Sequence, residues 1–267
     1  MTAPHRPHIL ITNDDGIEAP GIAALAEVLR ADADLTIVAP ARENSGMGHA
    51  ITVLRELRFE PFHKNGILWG YGLEGTPADC VKIAVQVLAA DRPFDMVVSG
   101  INAGQNCGIN ILYSGTVAAA REAAVLGLPA IAVSLLYEDE SHTPYETAAR
   151  VALDVVRLVR KRGLPRGVML NINVPPLPYE QLKPWVVTRM GESGYADLFL
   201  HEPGENGAPS VYRNVGKGFE PSTIVHGDEN RPLDDIALYD NHVSITPLMF
   251  DLTAHDFLEQ LDGWLLG

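Results

Sequence analysis

Residues 9–16 read Ile-Leu-Ile-Thr-Asn-Asp-Asp-Gly, an apolar run that ends in two adjacent carboxylates. Adjacent side chains of a continuing strand would point to opposite faces of the sheet. A turn through Gly16 can instead direct Asp14 and Asp15 to one point beyond the strand. A hard cation bound there would relieve their repulsion. The alternative is a turn in which Asp14 or Asp15 caps the following helix, and this stretch alone leaves both interpretations open.

Similar apolar runs recur along the chain, at residues 35–39, 95–99, 130–135 and 168–174. Helical patterns separate these runs, at residues 22–30, 78–89, 117–126 and 145–162. Strands that alternate with helices predict an α/β fold in which a parallel sheet is covered on both faces. Lys64-Asn65-Gly66 divides two shorter runs, residues 57–62 and 67–72, and predicts a hairpin or loop between the second strand and the next helix.

The character of the chain changes after Val174. Several prolines are followed by a Gly-, Pro- and Asn-rich stretch, residues 191–230, which we interpret as an extended arm held in an oligomer. A late strand at residues 243–247 and an amphipathic closing helix at residues 254–266 follow. We expect one domain, residues 1–267, with a core of about residues 6–175 and a C-terminal extension of about residues 176–267.

Composition limits what the protein can bind. Acidic residues outnumber basic ones by 34 to 20, a net charge of −14, which opposes binding to DNA or RNA polymers because that affinity depends on Lys and Arg. A small phosphate ester stays compatible if a cation and backbone amides offset this field. Without a membrane-spanning apolar stretch or a signal-peptide pattern, we expect a cytoplasmic protein that binds no membrane. Cys80 and Cys107 form no disulfide framework or metal-binding pair and fit buried thiols.

Ligands of open parallel sheets bind beyond the carboxyl ends of the strands. Four turns at this edge carry polar, glycine-rich sequence, at residues 13–16, 41–48, 100–108 and 114–116. The fourth, Ser114-Gly115-Thr116, opens a helix whose free N–H groups suit an anion, and Gly115 would allow the anion close to the backbone. The alternative is an ordinary Ser or Thr N-cap.

Six motifs occur once each, in this order along the chain: ITNDDGIEAPGI at residues 11–22, EGTPADC at 74–80, VSGINAGQN at 98–106, YSGTVAAA at 113–120, NINVP at 171–175 and VSITPL at 243–248. Together they resemble the SurE family, survival protein E, over nearly the whole chain. The resemblance implies a Rossmann-like three-layer core and homodimers or homotetramers built by exchanged C-terminal elements. It also implies a divalent-metal-dependent acid phosphatase that acts on nucleoside monophosphates as a 5′/3′-nucleotidase. The sequence leaves open whether 3′-nucleotides, polyphosphate and non-nucleotide esters are substrates as well.

The resemblance further implies four ligands for one divalent metal ion per subunit: Asp14, Asp15, Ser45 and Asn102. All four supply oxygen, which favours Mn²⁺ or Mg²⁺, with Ca²⁺ as a further candidate, over metals that prefer thiolate or imidazole. The second turn reads ARENSG at residues 41–46, whereas the family pattern is Asp-Arg-Asn-x-Ser-Gly. The Ser-Gly pair is retained, and no role is implied for the shifted asparagine.

Hydrolysis of a phosphate monoester needs an in-line nucleophile, neutralised phosphoryl oxygens and a proton for the leaving group. We expect a water activated by the metal and oriented by Asp15 or Asp14, rather than an aspartyl-phosphate, because the pair is contiguous and is not Asp-x-Asp. His49, near the second turn, is the candidate proton donor. The phosphate is expected to contact side chains or backbone N–H groups of Gly46, Gly104, Asn106, Ser114, Gly115 and Thr116.

A second hypothesis is a metal-dependent nucleotide-binding or sensing oligomer without turnover. The acidic pair argues for catalysis, because carboxylates repel a phosphate unless a metal intervenes. A nicotinamide-dependent oxidoreductase is disfavoured, because no Gly-x-Gly-x-x-Gly follows the first strand. Aromatic residues such as Trp69 and Tyr195 either stack on a base or, as we favour, pack against another subunit.

Overall fold

The computed structural model describes residues 6–136, 144–204, 209–216, 218–222 and 230–266. Its strands are β1 (His8–Thr12), β2 (Asp34–Pro40), β3 (Phe59–Lys64), β4 (Ile67–Leu73), β5 (Met96–Ala103), β6 (Ala130–Leu135), β7 (Val168–Val174), β8 (Lys183–Val187), β9 (Gly194–Ala196), β10 (Phe199–Glu202), β11 (Val211–Asn214), β12 (Gly218–Glu220) and β13 (His242–Met249). Its α-helices are α1 (Pro20–Leu29), α2 (Pro77–Ile83), α3 (Asn110–Tyr113), α4 (Gly115–Val125), α5 (Tyr145–Arg162), α6 (Asp234–Tyr239) and α7 (Leu258–Leu266).

Nine of these strands form one mixed, mostly parallel sheet in the order β3-β4-β2-β1-β5-β6-β7-β13-β8. The five strands predicted from apolar runs pair in parallel at its centre. Antiparallel pairs lie toward the edges, where β3 pairs with β4 and β13 pairs with β7. The predicted α/β fold is confirmed, and β1 lies in the interior of the sheet, so the turn after it is flanked by strand ends on both sides.

Alternation of side chains along β1 divides the core into two layers, because successive residues of a strand point to opposite faces. Ile9 and Ile11 pack in the cluster that includes the buried faces of α1 and α5. Leu10 packs on the other face, in the cluster that includes α2 and α4. The sheet is therefore covered on both faces, as the alternation of strands and helices predicts.

The predicted hairpin is confirmed, and it extends the sheet because β4 pairs in parallel with β2. Cys80 and Cys107 are free and fully buried, as expected, and burial raises the pKa of each thiol. No helix in the described ranges has the length and apolar character needed to cross a membrane.

The C-terminal extension contributes to the main sheet through β8 and β13. The predicted arm, in those of its residues that the structure describes, forms two small antiparallel pairs, β10 with β11 and β9 with β12. Residues 205–208, 217 and 223–229 of the arm lie outside the described residues. Helix α7 and the turn before it leave large apolar side chains uncovered: Phe257, Leu258, Leu261, Trp264 and Leu265 are 38–76% exposed.

Candidate metal centre and substrate cleft

The turn after β1 is held by Asn13. Its side-chain amide donates to the Gly16 carbonyl at 2.9 Å and accepts from the Gly16 N–H at 3.2 Å. Gly16 has a φ of +105°, in the region that favours glycine. The residue preceding α1 is Ala19, and no side chain caps that helix. Neither Asp14 nor Asp15 therefore serves as a cap for α1, and both carboxylates are left to the edge of the sheet.

Asp14 lies against the first turn of α4 and is 3% exposed. The Thr116 hydroxyl donates a hydrogen bond to its Oδ1. Burial raises the pKa of Asp14, and hydrogen bonds from the Thr116 side chain and from the backbone of Thr116 and Gly115 oppose that rise. A Cβ at position 115 would lie 2.7 Å from the Asp14 Cβ, so only glycine lets α4 approach this closely. The N-terminus of α4 thus holds a carboxylate of the protein itself.

Asp15 lies beside Asp14 and shares its desolvation. Burial, then the charge of Asp14, and to a smaller extent that of Glu43, raise the pKa of Asp15 to about 7. The Ala103 N–H, 3.4 Å from Oδ2, opposes the rise. Two adjacent carboxylates that are both hard to ionise indicate a place where positive charge would be strongly stabilising.

Neutral oxygen atoms complete the cluster. The Thr116 Oγ1 that donates to Asp14 also lies 3.5 Å from the Asn102 Oδ1. The Asn102 amide nitrogen donates to the Gly104 carbonyl at 2.7 Å, which leaves Oδ1 on the side of Asp14. The Ser45 hydroxyl donates to Glu43 at 2.9 Å, and the neighbouring Asn44 N–H donates to the Asp14 carbonyl at 2.8 Å.

These groups fit a hard divalent cation, because two carboxylates, an amide oxygen and a hydroxyl are ligands that such ions prefer. Within the described ranges, no group of three or more His, Cys, Asp or Glu side chains could hold a metal ion. The predicted site contains only two residues of these types, Asp14 and Asp15. Its other two oxygen ligands would come from Ser45 and Asn102. Whether the four residues act as ligands stays a prediction.

A cleft of about 800 Å³ opens at this cluster. Seven of the predicted site residues line it: Asp14, Ser45, Gly46, Asn102, Gly104, Asn106 and Ser114. The rest of the lining comes from Ala103, Gln105, Ile109, Asn110, Tyr113, Gly194, Tyr195, Asp197 and Asn214. The structure therefore brings together turns that are up to 100 residues apart in the sequence, from Asp14 to Ser114, and adds residues of the arm. Gly115 and Thr116 lie behind Asp14 rather than at the surface of the cleft.

The hydrogen-bond donors of this lining are unequally engaged. The Gly104 N–H donates to the Leu135 carbonyl at 2.9 Å. Asn106 is more fully occupied, since its N–H donates to Asn173 Oδ1 at 2.8 Å and its side-chain amide donates to Ser134 at 2.7 Å. Gly46 differs, because in the part of the chain that the structure describes no acceptor contacts its N–H. Ser114 Oγ accepts from the Val117 N–H at 3.1 Å, which leaves its hydroxyl hydrogen for a ligand.

The loop from Gly104 to Gly108 is anchored from two sides. Asn171 and Asn173 of β7 both donate to the Asn106 carbonyl, at 2.8 and 3.2 Å. Asp234, at the start of α6, accepts from the Gly108 N–H at 3.0 Å. Burial raises the pKa of Asp234 to about 6, although backbone N–H groups oppose the rise. The Asn-Ile-Asn motif at 171–173 is visible in the sequence, but its role in holding this loop appears only in the fold.

His49 is engaged away from the acidic pair. Its Nε2 lies 2.9 Å from Glu122, which also pairs with Lys82 at 3.2 Å. Those contacts lower the pKa of Glu122. Glu122 is two turns of α4, about 10 Å along the helix axis, beyond Gly115. The role of His49 as proton donor stays a prediction, and its side chain is not part of the cleft lining.

The arm residues of the lining were not predicted from sequence as site residues. Asp197 and Asn214 lie in a Gly- and Asn-rich region where no apolar period marks the strands, so nothing local indicates which side chains face the core of the protein. Tyr195, for which the sequence favours a subunit interface over base stacking, lines the cleft and is 59% exposed.

Comparison with known proteins agrees with this architecture. The model of the family described as Survival protein SurE matches residues 9–197. A Syntrophobacter fumaroxidans protein named 5′-nucleotidase SurE is 42% identical over 97% of this chain and 99% of its own. A Desulfatibacillum aliphaticivorans protein of the same name is 44% identical over 96% and 98%. The crystal structure of the SurE protein from Aquifex aeolicus matches with a TM-score of 0.81 and 35% identity over 98% of this chain and 100% of its own. The order of motifs, the nine-stranded sheet and these relatives lead to one conclusion: the chain belongs to the SurE family.

Proposed function

We propose that this chain is a divalent-metal-dependent 5′-nucleotidase that hydrolyses nucleoside monophosphates to a nucleoside and phosphate. The observation that carries the proposal is the pair Asp14 and Asp15, two adjacent desolvated carboxylates of which Asp14 lines a nucleotide-sized cleft. The lining contains no Lys, Arg or His among the described residues. A phosphate dianion is therefore stable here only with a cation. The relatives named 5′-nucleotidase SurE support the same activity.

One Mn²⁺ or Mg²⁺ ion per subunit would be held by Asp14, Asp15, Ser45 and Asn102. When bound, it supplies charge neutralisation for the phosphoryl oxygens and a lowered pKa for a water molecule. Ser114 and Gly46 have a hydroxyl and an N–H available to bind phosphate oxygens. Four other predicted phosphate ligands have hydrogen-bond donors that already bind acceptors within the protein, Asp14 among them. They would position the site without contacting phosphate: Gly104, Asn106, Gly115 and Thr116. Asp15, the more accessible carboxylate, orients the attacking water.

The proposal includes self-association as a homodimer or homotetramer. The uncovered apolar side chains around α7 support it, as do the strands β10 and β11, in which every residue is exposed. The whole chain would form one domain, because β8 and β13 of the C-terminal extension belong to the main sheet. Sedimentation of the wild type and of Trp264→Glu tests the assembly: the variant should yield smaller particles, and an unchanged mass distribution would contradict an interface at α7.

The activity is tested by phosphate release from chelator-stripped protein before and after addition of Mn²⁺ or Mg²⁺. The panel contains 5′- and 3′-nucleoside monophosphates, polyphosphate and p-nitrophenyl phosphate, which together define the breadth of the reaction. Asp15→Asn should lose the metal-restored activity. Asp32→Asn is the matched control, because Asp32 pairs with Arg157 at 2.6 Å, remote from the cleft lining. Tight binding of metal and nucleotide with no phosphate release would instead indicate a sensor.

A further inference from the structure

The cleft is large enough to receive more than a phosphate. A volume of about 800 Å³ leaves room for a nucleoside as well. Tyr113 and Tyr195 line the cleft and are 60% and 59% exposed. The Tyr195 ring is supported from behind by Phe219, with ring centroids 5.7 Å apart in an edge-to-face arrangement. A supported, exposed aromatic ring is a suitable surface for stacking a base.

Two exposed polar residues of the arm, Asp197 and Asn214, also line the cleft and form a fixed pair. The Asn214 amide nitrogen donates to Asp197 Oδ1 at 2.6 Å. The Asn214 amide oxygen accepts from the backbone N–H groups of Leu198 and Gly216, at 3.3 and 3.0 Å. Because those two partners are obligate donors, the orientation of the amide is determined, and its nitrogen must face Asp197. Oδ2 of Asp197 has no hydrogen-bond donor among the residues that the structure describes.

Resting on the proposed function, we infer that Asp197, oriented by Asn214, determines base specificity and selects guanine. Guanine presents two adjacent donors, N1–H and the 2-amino group, which a carboxylate can accept together. Adenine and cytosine place a ring acceptor beside their amino group, and uracil flanks its N–H with two carbonyl oxygens, so each brings an acceptor against the carboxylate. The second hydrogen of the Asn214 amide suits the guanine O6.

The test compares GMP with IMP, which differ only by the 2-amino group. In wild type with Mn²⁺, kcat/KM for GMP should exceed that for IMP about tenfold, as expected for one charge-assisted hydrogen bond. In Asp197→Asn the new side chain must direct its oxygen to Asn214, so its NH2 faces the donors of guanine. The GMP to IMP ratio should then fall to one or below, and kcat/KM for GMP should fall by a larger factor than kcat/KM for p-nitrophenyl phosphate, which carries no base.

Glu202→Gln is the matched control, since Glu202 lies on β10 of the same arm and pairs with Arg213 at 3.3 Å, outside the cleft lining. It should leave the ratio unchanged. A wild-type ratio near one, an unchanged ratio in Asp197→Asn, or an equal loss on p-nitrophenyl phosphate would each overturn the inference. Calorimetric binding of GMP and IMP reads the same preference without turnover. A protein that discriminates in binding but releases no phosphate would refute the proposed reaction and support the role of Asp197.

Discussion

Replacing Asp15 by asparagine should stabilise the metal-free protein while abolishing its stabilisation by metal. Burial and the charge of Asp14 raise the pKa of Asp15 from its ordinary value of 3.8 to about 7. A carboxyl whose folded-state pKa is raised binds more protons in the folded state than in the unfolded state. The contribution of Asp15 to the stability of the metal-free protein is therefore greatest below pH 4 and declines as the pH rises from about 4 to 7.

The size of the effect follows from that pKa. A rise from 3.8 to about 7 corresponds to at most about 4 kcal/mol of unfolding free energy lost above pH 7. Asp15 keeps some contact with solvent, so we expect about half of this, ~2 kcal/mol. For a chain of this size ~2 kcal/mol corresponds to roughly 4–8 °C in Tm. Asparagine at position 15 carries no charge and avoids this cost.

The assay is thermal unfolding at pH 8 in EDTA and in Mn²⁺. Wild type should gain stability with Mn²⁺, whereas Asp15→Asn should begin higher in EDTA and gain little. Asp32→Asn controls for loss of a carboxylate, since Arg157 lowers the pKa of Asp32 and its removal should lower Tm slightly in both buffers. A Tm of Asp15→Asn at or below wild type in EDTA, or a full Mn²⁺ gain in the variant, would refute the electrostatic reasoning.

Three further results are expected. Gly115→Ala places a Cβ 2.7 Å from the Asp14 Cβ and should cost about 1–3 kcal/mol in thermal unfolding, together with Mn²⁺ affinity measured by calorimetry. The control is Gly263→Ala in α7, where no atom lies near the added Cβ: it should leave Mn²⁺ affinity unchanged and should not lower Tm, because alanine favours a helix over glycine. His49→Ala should retain turnover within about threefold, because the imidazole contacts Glu122 two turns along α4; a loss of 100-fold or more would instead support the proton-donor role. Inorganic phosphate should raise Tm in Mn²⁺ and leave it unchanged in EDTA, and a phosphate effect in EDTA would show that the phosphate site does not need the metal.

Much of the core could be predicted because burial leaves a periodic record in the sequence. The ranges 130–135, 145–162 and 168–174 agree with β6, α5 and β7 to the residue. Each is a buried run or a helix with one buried face, so apolar periodicity marks its ends. β10 and β11 were missed for the converse reason: every residue in them is exposed, and backbone hydrogen bonds between exposed strands leave no such period.

The location of the site could be predicted because parallel strands bring their carboxyl ends to one edge. The hydrogen-bond partners within it could not. Ser114-Gly115-Thr116 reads as an anion-binding helix start, and it does meet an anion, but that anion is the Asp14 carboxylate. Asn106 likewise has the side chain of a phosphate ligand, and β7 and β6 occupy it. Whether a donor binds an acceptor within the protein or stays available for phosphate depends on the tertiary structure.

These internal hydrogen bonds help to explain how a protein of net charge −14 can be specific for an anion. The N-terminus of α4 would suit phosphate, but its N–H groups bind Asp14 instead. Among the described residues, the cleft lining contains no cationic side chain. What remains for the phosphate is Gly46, Ser114 and the positive charge that the Asp14–Asp15 pair would recruit. Affinity for phosphate is therefore made conditional on metal, and an apo protein rejects the polyanions that fill a cell. The acidic pair and the net negative charge both repel anions from the metal-free protein. Only the metal-loaded cleft then binds a phosphate.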